Sequence, residues 1–250
     1  MDGLGGVGKT TMLKRLIEGT FDSSTPMTIG LDFFVKKYEL FDKEVYAQFW
    51  DFVGISRFNV LKDICYKGAN SMILVCDITR HMTFTEEIFN FYLQLAENAE
   101  LKREQIILAA SKVDLHVGRY LIREMLIDLC QKYNFHDFFE VSARSNDNIE
   151  LLFESSVVLG MYFKNLISEE DFIDYNNDLK NRIKEPRILP QEKIIRKCFK
   201  CNRPLYYYEF YSANISKFPE DTLIKIWMSP YIQLYCCYCY KKLTNIQLSF

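Results

Sequence analysis

The amino-acid sequence predicts an α/β fold with a mostly parallel sheet, followed by a small cysteine-rich C-terminal module. Through the first two thirds of the chain, short apolar runs alternate with segments of helical periodicity. A glycine-rich loop, GLGGVGKT at residues 3–10, leads directly into the first of these helices. Two cysteine pairs, CFKC at 198–201 and CCYC at 236–239, stand near the other end.

Composition predicts a folded protein of one domain with a smaller appendage. The 250 residues are 49% apolar and 15% aromatic, which argues against disorder. A net charge of −2 argues against strong non-specific binding to nucleic acid or acidic membranes. No apolar run reaches the roughly 20 residues of a membrane span. No secretory signal precedes the glycine loop, so we expect a cytoplasmic protein.

The segment 3–10, called the phosphate loop below, fits the pattern GxxxxGK[ST]. Glycines let successive backbone N–H groups turn inward around phosphate oxygens, and the following helix offers its N-terminus to the negative charge. Lys9 would reach the β- and γ-phosphates, and the Thr10 hydroxyl would bind Mg²⁺. Met12, Leu13, Leu16 and Ile17 give the next segment its helical period.

A phosphate loop normally follows a buried strand, yet only Met1 and Asp2 precede Gly3. A strand needs about five residues. We therefore expect the first strand of the sheet to be missing or truncated, with a start codon further upstream as the preferred explanation. The alternative is a chain that is shortened and poorly stable.

The later elements follow in α/β order. MILVCDI (72–78) and IILAASKVD (106–114) are apolar runs that end in polar residues, as buried parallel strands with a ligand at their carboxyl ends should. Helical periodicity predicts helices over 83–101, 119–133 and 148–167.

Five motifs in order resemble those of the Ras superfamily of small GTPases, closest to the Rab-like branch. They are the phosphate loop, TIGLDF (28–33), WDFVG (50–54), SKVD (111–114) and VSAR (141–144). The resemblance covers roughly residues 1–166 and implies a P-loop small G domain over 1–167, with GTP or GDP and Mg²⁺ as ligands. It also implies effector, exchange-factor and activating proteins as partners.

The resemblance assigns roles residue by residue. It places Thr10, Thr28 and Asp51 around Mg²⁺, and Thr28 and the Gly54 N–H on the γ-phosphate. The full set of nucleotide-contacting residues that it implies is Gly3, Leu4, Gly5, Gly6, Val7, Gly8, Lys9, Thr10, Thr11, Phe21, Thr28, Asp51, Gly54, Ser111, Lys112, Asp114, Ser142, Ala143 and Arg144.

The guanine motif departs from the family at Ser111, where asparagine is usual, and the last motif has Arg144 in place of lysine. Asp114 can accept two hydrogen bonds from the N1–H and 2-amino group of guanine. Adenine offers neither donor, so ATP would leave a buried carboxylate unpaired. The stem of Lys112 would lie over the base, and the Ala143 N–H would contact it.

The catalytic group is unknown, because Ile55 stands where small GTPases usually carry the glutamine that orients water. Slow intrinsic hydrolysis is therefore expected. Three interpretations stay open: a near-constitutive GTP binder, a switch whose partner supplies the missing group, or a domain that binds nucleotide only structurally or not at all. His81, His116 and His136 are expected to be solvated loop residues.

Residues 168–194 read as a linker with some helix, and 195–250 as a zinc-binding module. Cys198, Cys201, Cys236 and Cys239 fit a zinc-ribbon-like Cys₄ site, with Cys237 as a substitute ligand. Buried reduced cysteines and a disulfide are the alternatives. YYYEFY (206–211) and YIQLYC (231–236) are predicted strands. The chain ends in LTNIQLSF without a cysteine box, so membrane association is expected only through partners.

The function predicted from the sequence is a guanine-nucleotide switch that signals through its switch regions. The alternative is a non-hydrolysing GTP-dependent scaffold or adaptor that acts through the zinc module. A zinc-dependent nucleic-acid binder with a vestigial G domain is a third class, which the acidic composition disfavours.

Overall fold

The computed structural model describes residues 1–23, 30–52, 65–115, 119–184, 196–205, 210, 214, 217–235 and 239. The chain divides into two compact units. Unit one comprises residues 1–115 and 125–185, and unit two comprises residues 116–124 and 186–250. No helix in the described ranges has both the length and the apolar composition to cross a bilayer.

The α/β elements run in the predicted order. The strands are β1 (Leu31–Leu40), β2 (Lys43–Phe52), β3 (Met72–Asp77), β4 (Ile106–Ser111) and β5 (Asp137–Val141), and the helices are α1 (Lys9–Glu18), α2 (Glu86–Asn98), α3 (Arg119–Tyr133), α4 (Ile149–Phe163) and α5 (Glu169–Arg182). Short 3₁₀ turns cover His81–Phe84, Arg103–Gln105 and Val113–Leu115.

A parallel sheet lies at the centre of unit one. β3 pairs with β4 from Met72↔Ile106 to Asp77↔Ser111, and β4 pairs with β5 as far as Ser111↔Val141. Every residue of β3 and β4 is buried, as expected for strands covered on both faces. The predicted mostly parallel sheet is confirmed, and the carboxyl ends of its strands meet at one edge.

An antiparallel hairpin precedes this sheet. β1 and β2 pair in register from Leu31↔Phe52 to Leu40↔Lys43. Phe41 and Asp42 form the turn with φ of 53° and 56°, and positive φ at both positions matches the twist of a two-residue hairpin. The side chains of Tyr38 and Phe49 are buried in the core.

Met1 and Asp2 lie between the hairpin and the parallel sheet. The Met1 N–H donates to the Trp50 carbonyl at 2.8 Å, and the Phe52 N–H donates to the Met1 carbonyl at 3.4 Å. Asp2 forms a parallel bridge with Leu74 of β3. Met1 and Asp2 thus join the edge of β2 to the edge of β3 through backbone hydrogen bonds.

The core of unit one packs helices against the sheet. Met12 and Leu13 of α1 are buried, and Phe153 of α4 meets Phe49 edge-to-face at 5.0 Å between ring centroids. Helix α5 lies within the residues expected to be a linker. Its Tyr175 and Leu179 belong to the same core cluster.

Unit two has a small core of its own. Two short strands, β6 (Arg196–Lys197) and β7 (Pro204–Leu205), pair antiparallel across the loop 198–203, and α6 (Glu220–Met228) follows. Five buried side chains form its centre: Cys198, Leu205, Trp227, Leu234 and Cys239. The strand predicted over 231–236 is wrong for the described residues 231–235, which form turn and irregular structure. Phe210 is helical, and the rest of 206–211 lies outside the described residues.

Candidate functional site

The phosphate loop connects Asp2 to helix α1 beneath the carboxyl end of β3. Gly3 has a φ of 144°, and a Cβ there would lie 2.3 Å from the Val75 carbonyl oxygen, so only glycine fits this approach. Gly8 caps α1 in the left-handed region with a φ of 99° and provides no side-chain cap. The N–H groups of the first helical turn therefore face the loop, which suits an anion.

Lys9 is 6% exposed and lies across the loop. Its Nζ donates to the Gly3 carbonyl at 2.8 Å and to the Leu4 carbonyl at 3.0 Å. These two carbonyls hold the Lys9 ammonium inside the loop. Leu4, Gly5, Gly6 and Val7 complete the loop, and Thr11 follows Thr10 on α1.

Thr10 and Asp51 meet at the mouth of the loop. The Thr10 hydroxyl donates to Asp51 Oδ2 at 2.5 Å, and Asp51, near the end of β2, is fully buried. A hydroxyl beside a carboxylate at a phosphate-binding turn is the oxygen donor set that Mg²⁺ prefers. The residues present therefore fit the predicted magnesium site.

A buried aspartate supports the loop through two cationic side chains. Asp77, at the end of β3, accepts from Lys112 Nζ at 2.7 Å and lies 3.4 Å from Arg80 Nε. The same two cations hold loop carbonyls: Lys112 Nζ donates to Gly6 at 3.0 Å, and Arg80 Nη2 donates to Gly5 at 2.9 Å. Asp77 and Arg80 were not among the predicted site residues. The signal that could have revealed Asp77 is a carboxylate that ends an otherwise apolar strand.

Ser111 ties β4 to the loop. Its hydroxyl lies 2.6 Å from the Val7 carbonyl and 2.9 Å from the Cys76 carbonyl, and the side chain is buried. The hydroxyl predicted as a base contact thus serves the framework of the loop.

The guanine-reading candidates meet at the ends of β4 and β5. Asp114 follows β4 in the Val113–Leu115 turn, and its Oδ1 accepts from the Ser142 hydroxyl at 2.7 Å. The Ser145 N–H donates to Ser142 Oγ at 3.1 Å, which orients that hydroxyl toward Asp114. Ala143 is half-buried and Arg144 is exposed. The 142–144 turn therefore presents its backbone beside Asp114.

Phe21 lies beyond the C-terminus of α1 and is 39% exposed, which leaves its ring accessible. The predicted γ-phosphate residues Thr28 and Gly54, together with Ile55, lie outside the described residues.

His136 was expected to be solvated, yet it is half-buried beside Phe172, with 5.3 Å between the ring centroids. Burial lowers the pKa of His136 below its ordinary value, although the neighbouring Asp137 opposes that shift.

Three cysteines of unit two converge. The Sγ atoms of Cys198, Cys201 and Cys239 all lie within 4.8 Å of one another. Thiolates at about 2.3 Å from a tetrahedral zinc ion would be about 3.8 Å apart, so this spacing suits a shared metal. Cys236 and Cys237 fall beyond the part of the chain that the structure describes. In unit one, by contrast, burial raises the pKa of Cys130 to about 12, which makes a reactive thiolate there unfavourable.

Comparison with known proteins gives concordant matches. Residues 1–159 match the Ras family. Ras-related protein Rab-13 of Canis lupus familiaris is 35% identical over 150 residues, which cover 60% of this chain and 72% of that protein. Ras-related protein SEC4 of Candida albicans is 34% identical over 148 residues, covering 59% and 69%. Ras-related protein Rab-12 of Homo sapiens is 29% identical over 190 residues, covering 74% and 75%.

Proposed function

This chain belongs to the Ras family, and from that membership we propose that it is a GTP-binding molecular switch of the Rab-like kind. One observation carries the proposal. At one edge of the sheet, the phosphate loop with its buried Lys9, the Thr10–Asp51 pair and the Asp114–Ser142 pair each have the chemistry that one part of GTP requires.

The phosphate end would be held by charge and backbone dipoles. Lys9 would exchange its two carbonyl contacts for phosphate oxygens, which are stronger acceptors because they are anionic. A bound Mg²⁺ would neutralise charge on the β- and γ-phosphates. Thr10 would supply a direct oxygen ligand for Mg²⁺, with Asp51 accepting a hydrogen bond behind it, and Thr28 would complete the set.

The base end would be read by Asp114. Ser142 donates to Oδ1 of its carboxylate, and both carboxylate oxygens keep acceptor capacity for the two guanine donors. Ser111 contributes through the loop that it fixes, and the stem of Lys112 would lie along the base while its ammonium holds Gly6.

The first test is chromatography of the nucleotide released from the purified chain, with Mg²⁺ present throughout. We expect guanine nucleotide in close to one copy per chain. The matched control is Lys14→Ala, which removes a lysine outside the loop. Lys9→Ala should lose bound nucleotide while Lys14→Ala keeps it. A wild-type chain that carries no guanine nucleotide, and binds none when GDP is added, would contradict the proposal.

Hydrolysis should be slow, because an isoleucine side chain cannot orient the attacking water. Isolated small GTPases turn over at about 10⁻⁴ s⁻¹ even with their glutamine. Ile55→Gln should therefore raise the single-turnover rate, whereas Ile55→Leu, of nearly equal volume, should leave it unchanged. Equal rates for all three chains would show that the residue at position 55 does not limit hydrolysis.

For unit two we propose a structural zinc site formed by Cys198, Cys201, Cys239 and Cys236. The observation that supports it is the convergence of the first three sulfur atoms, two of which belong to the small core cluster that the structure describes in unit two. Modules of this size usually need a structural metal or disulfides for stability, because their apolar core is small. A folded zinc module would also provide the binding surface for the alternative function, a GTP-dependent scaffold whose partner binds the zinc module.

The metal is tested by counting zinc atoms per purified chain with inductively coupled plasma mass spectrometry. We expect about one zinc atom per chain. Cys201→Ser and Cys236→Ser should each lose it, and Cys130→Ser, outside the cluster, should retain it. Full zinc occupancy in the Cys201→Ser and Cys236→Ser chains would reject this ligand set.

We further propose that the switch works in the cytoplasm with effector, exchange and activating proteins, as the family membership suggests. The division into a G domain over 1–167, a linker over 168–194 and a zinc module over 195–250 remains a prediction. Within it, α5 packs on the G-domain core.

A further inference from the structure

An arginine from outside the glycine motif lies over one peptide group of the phosphate loop. Arg80 Nη2 donates to the Gly5 carbonyl at 2.9 Å, and its Nη1 lies 3.7 Å from the place that a Cβ on Gly6 would take. The guanidinium therefore covers the Gly5–Gly6 peptide. A guanidinium is permanently charged, and a hydrogen bond from a cation is about twice as strong as one between neutral groups.

The segment between β3 and α2 fixes the position of this arginine. The Arg80 N–H donates to the Asp77 carbonyl at 2.9 Å, which closes a turn. Inside the turn, Asp77 Oδ1 accepts from the Thr79 N–H at 2.9 Å and from the Thr79 hydroxyl at 2.6 Å. Asp77 is fully buried, and its Oδ2 lies 3.4 Å from Arg80 Nε. The backbone and the guanidinium of Arg80 are thus both held by Asp77.

The Gly5–Gly6 peptide has its two polar groups on opposite sides. The preceding carbonyl, that of Leu4, accepts from Lys9 inside the loop, whereas the Gly5 carbonyl faces Arg80. A trans peptide is planar with its C=O and N–H antiparallel, so the Gly6 N–H points away from Arg80. Within the described part of the chain, this N–H donates to no other group. It is therefore available to a ligand of the loop.

The place of Lys9 indicates which phosphate this N–H would meet. In a loop of this pattern the lysine reaches the β- and γ-phosphates, and the backbone N–H groups surround the α- and β-phosphates. Lys9 Nζ bonds to the Gly3 and Leu4 carbonyls, close along the chain to the Gly5–Gly6 peptide. An N–H group at this end of the loop suits the β-phosphate, which both sets of donors share.

Given the proposed binding of GDP and GTP, on which this inference rests, we propose that Arg80 is a positioning residue for the β-phosphate. Arg80 fixes and polarises the Gly5–Gly6 peptide and thereby makes the Gly6 N–H a stronger donor. Hydrogen bonds in a chain strengthen one another by about 10–30%. Arg80 acts through the peptide without touching the nucleotide. Its role differs from that of Lys112, which bonds to the next carbonyl, that of Gly6.

The first test observes this one peptide by NMR in the nucleotide-free chain. Gly5 and Gly6 are the only adjacent pair among the 10 glycines, so a chain labelled with ¹³C-carbonyl, ¹⁵N-glycine gives a single carbonyl-to-amide correlation. Arg80→Gln should move the Gly5 carbonyl carbon and the Gly6 amide proton upfield, because both lose the polarising cation. Arg80→Lys keeps the charge and should recover part of the shift. An unchanged signal in the Arg80→Gln chain would overturn the proposal.

The matched control is Arg103→Gln. Arg103 pairs with Glu97 at 2.6 Å and precedes β4, at the opposite end of that strand from Ser111. This substitution removes an ion-paired arginine of unit one that lies away from the loop, so the Gly5–Gly6 signal should keep its position. If Arg80→Gln does not fold, Arg80→Lys replaces it, because a lysine can keep the ion pair with Asp77, and its signal should still differ from that of wild type.

The second test compares GDP with GMP by competition against a fluorescent guanine nucleotide. Arg80→Gln should weaken GDP binding by about two- to fivefold. GMP has no β-phosphate, so its affinity should stay unchanged. An equal loss for GDP and GMP would mean that Arg80 only supports the fold, and would overturn the proposal. A wild-type chain that binds no GDP would contradict the proposed switch, whereas GDP binding with an unchanged Gly5–Gly6 signal in Arg80→Gln would overturn only the role of Arg80.

Discussion

At the scale of single residues, the phosphate loop is held through hydrogen bonds to its backbone carbonyls. Lys9, Lys112 and Arg80 each donate to a loop carbonyl, and Ser111 approaches a fourth carbonyl from β4. Lys112 and Arg80 converge on the buried Asp77, which fixes both cations. Loop shape is thus set by Lys9 of the motif together with Arg80, Ser111 and Lys112 from outside it.

Asp114→Asn tests base reading at this scale. An amide would present a donor or a single acceptor where guanine offers two donors, and hydrogen bonds to charged groups contribute about 1.5–3 kcal/mol each. We expect GDP affinity to fall by about 100-fold or more, because both bonds to the carboxylate are weakened. Titration with a fluorescent guanine nucleotide measures this, with ADP as competitor.

The control is Asp128→Asn on the exposed side of α3, which should leave GDP affinity unchanged. Unaltered GDP affinity in the Asp114→Asn chain would show that another group selects the base.

At the residue scale, proximity was predictable where motifs occur in a known order. Thr10 and Asp51 are 41 positions apart, yet they meet at 2.5 Å as the motif order implies. The pairing of Ser142 with Asp114 was not foreseen, and neither was the role of Arg80. Their roles depend on which loops the sheet brings together, and spacing along the chain does not encode that.

At the scale of elements, helix α5 shows how a polar segment joins a core. The Ser168 hydroxyl accepts from the Asp171 N–H at 3.1 Å, and the Ser168 N–H donates to Asp171 at 3.0 Å, a complete capping box. One turn further on, Phe172 stacks on Tyr162 of α4 with 4.2 Å between the ring centroids. The Tyr175 hydroxyl then lies 3.0 Å from Ser155 Oγ.

Ser168→Ala should destabilise unit one by on the order of 1 kcal/mol, since it removes the cap of α5. Urea denaturation measures the change, and Ser168→Thr should restore most of the loss because it keeps a hydroxyl. A Ser168→Ala chain as stable as wild type would show that α5 needs no cap.

The stabilisation by this cap should also depend on pH. Hydrogen bonds from Ser168 lower the pKa of Asp171. The contribution of the cap is therefore present above the ordinary pKa of an aspartate and is lost as the pH falls through the lowered value.

Elements with strong periodicity were predictable, and those set by tertiary context were not. The apolar runs of β3 and β4 and the period of α3 and α4 gave elements within a few residues of the observed bounds. The β1–β2 hairpin was not identified, because its turn is Phe41–Asp42 without a glycine. Helix α6 was also missed. Its Trp227 is buried by partners distant in sequence, such as Phe210 at 5.4 Å between ring centroids.

At the scale of the whole molecule, the two units depend on different sources of stability. Unit one buries a large cluster that joins α1, α4, α5 and the sheet, whereas the core cluster among the described residues of unit two has five buried side chains, two of which are cysteines. Arg196 adds hydrogen bonds to the carbonyls of Trp227, Ser229 and Ile232, between 2.6 and 2.7 Å long. These bonds hold the end of α6 but add no apolar core.

Metal removal should therefore unfold unit two and leave unit one folded. With a zinc chelator, residues 196–235 should become sensitive to protease, because the small core that the structure describes in unit two cannot offset the entropy of ordering this segment. Unit one should keep its protease resistance and its guanine nucleotide, since the core cluster described for unit one contains none of the three converging cysteines. Limited proteolysis followed by mass spectrometry of the fragments measures both effects in one sample.

The chain with Cys201→Ser should show the same cleavage without chelator, and Cys130→Ser should match wild type. Loss of zinc with unchanged cleavage of residues 196–235 would mean that the hairpin, α6 and the Arg196 bonds suffice to hold unit two together.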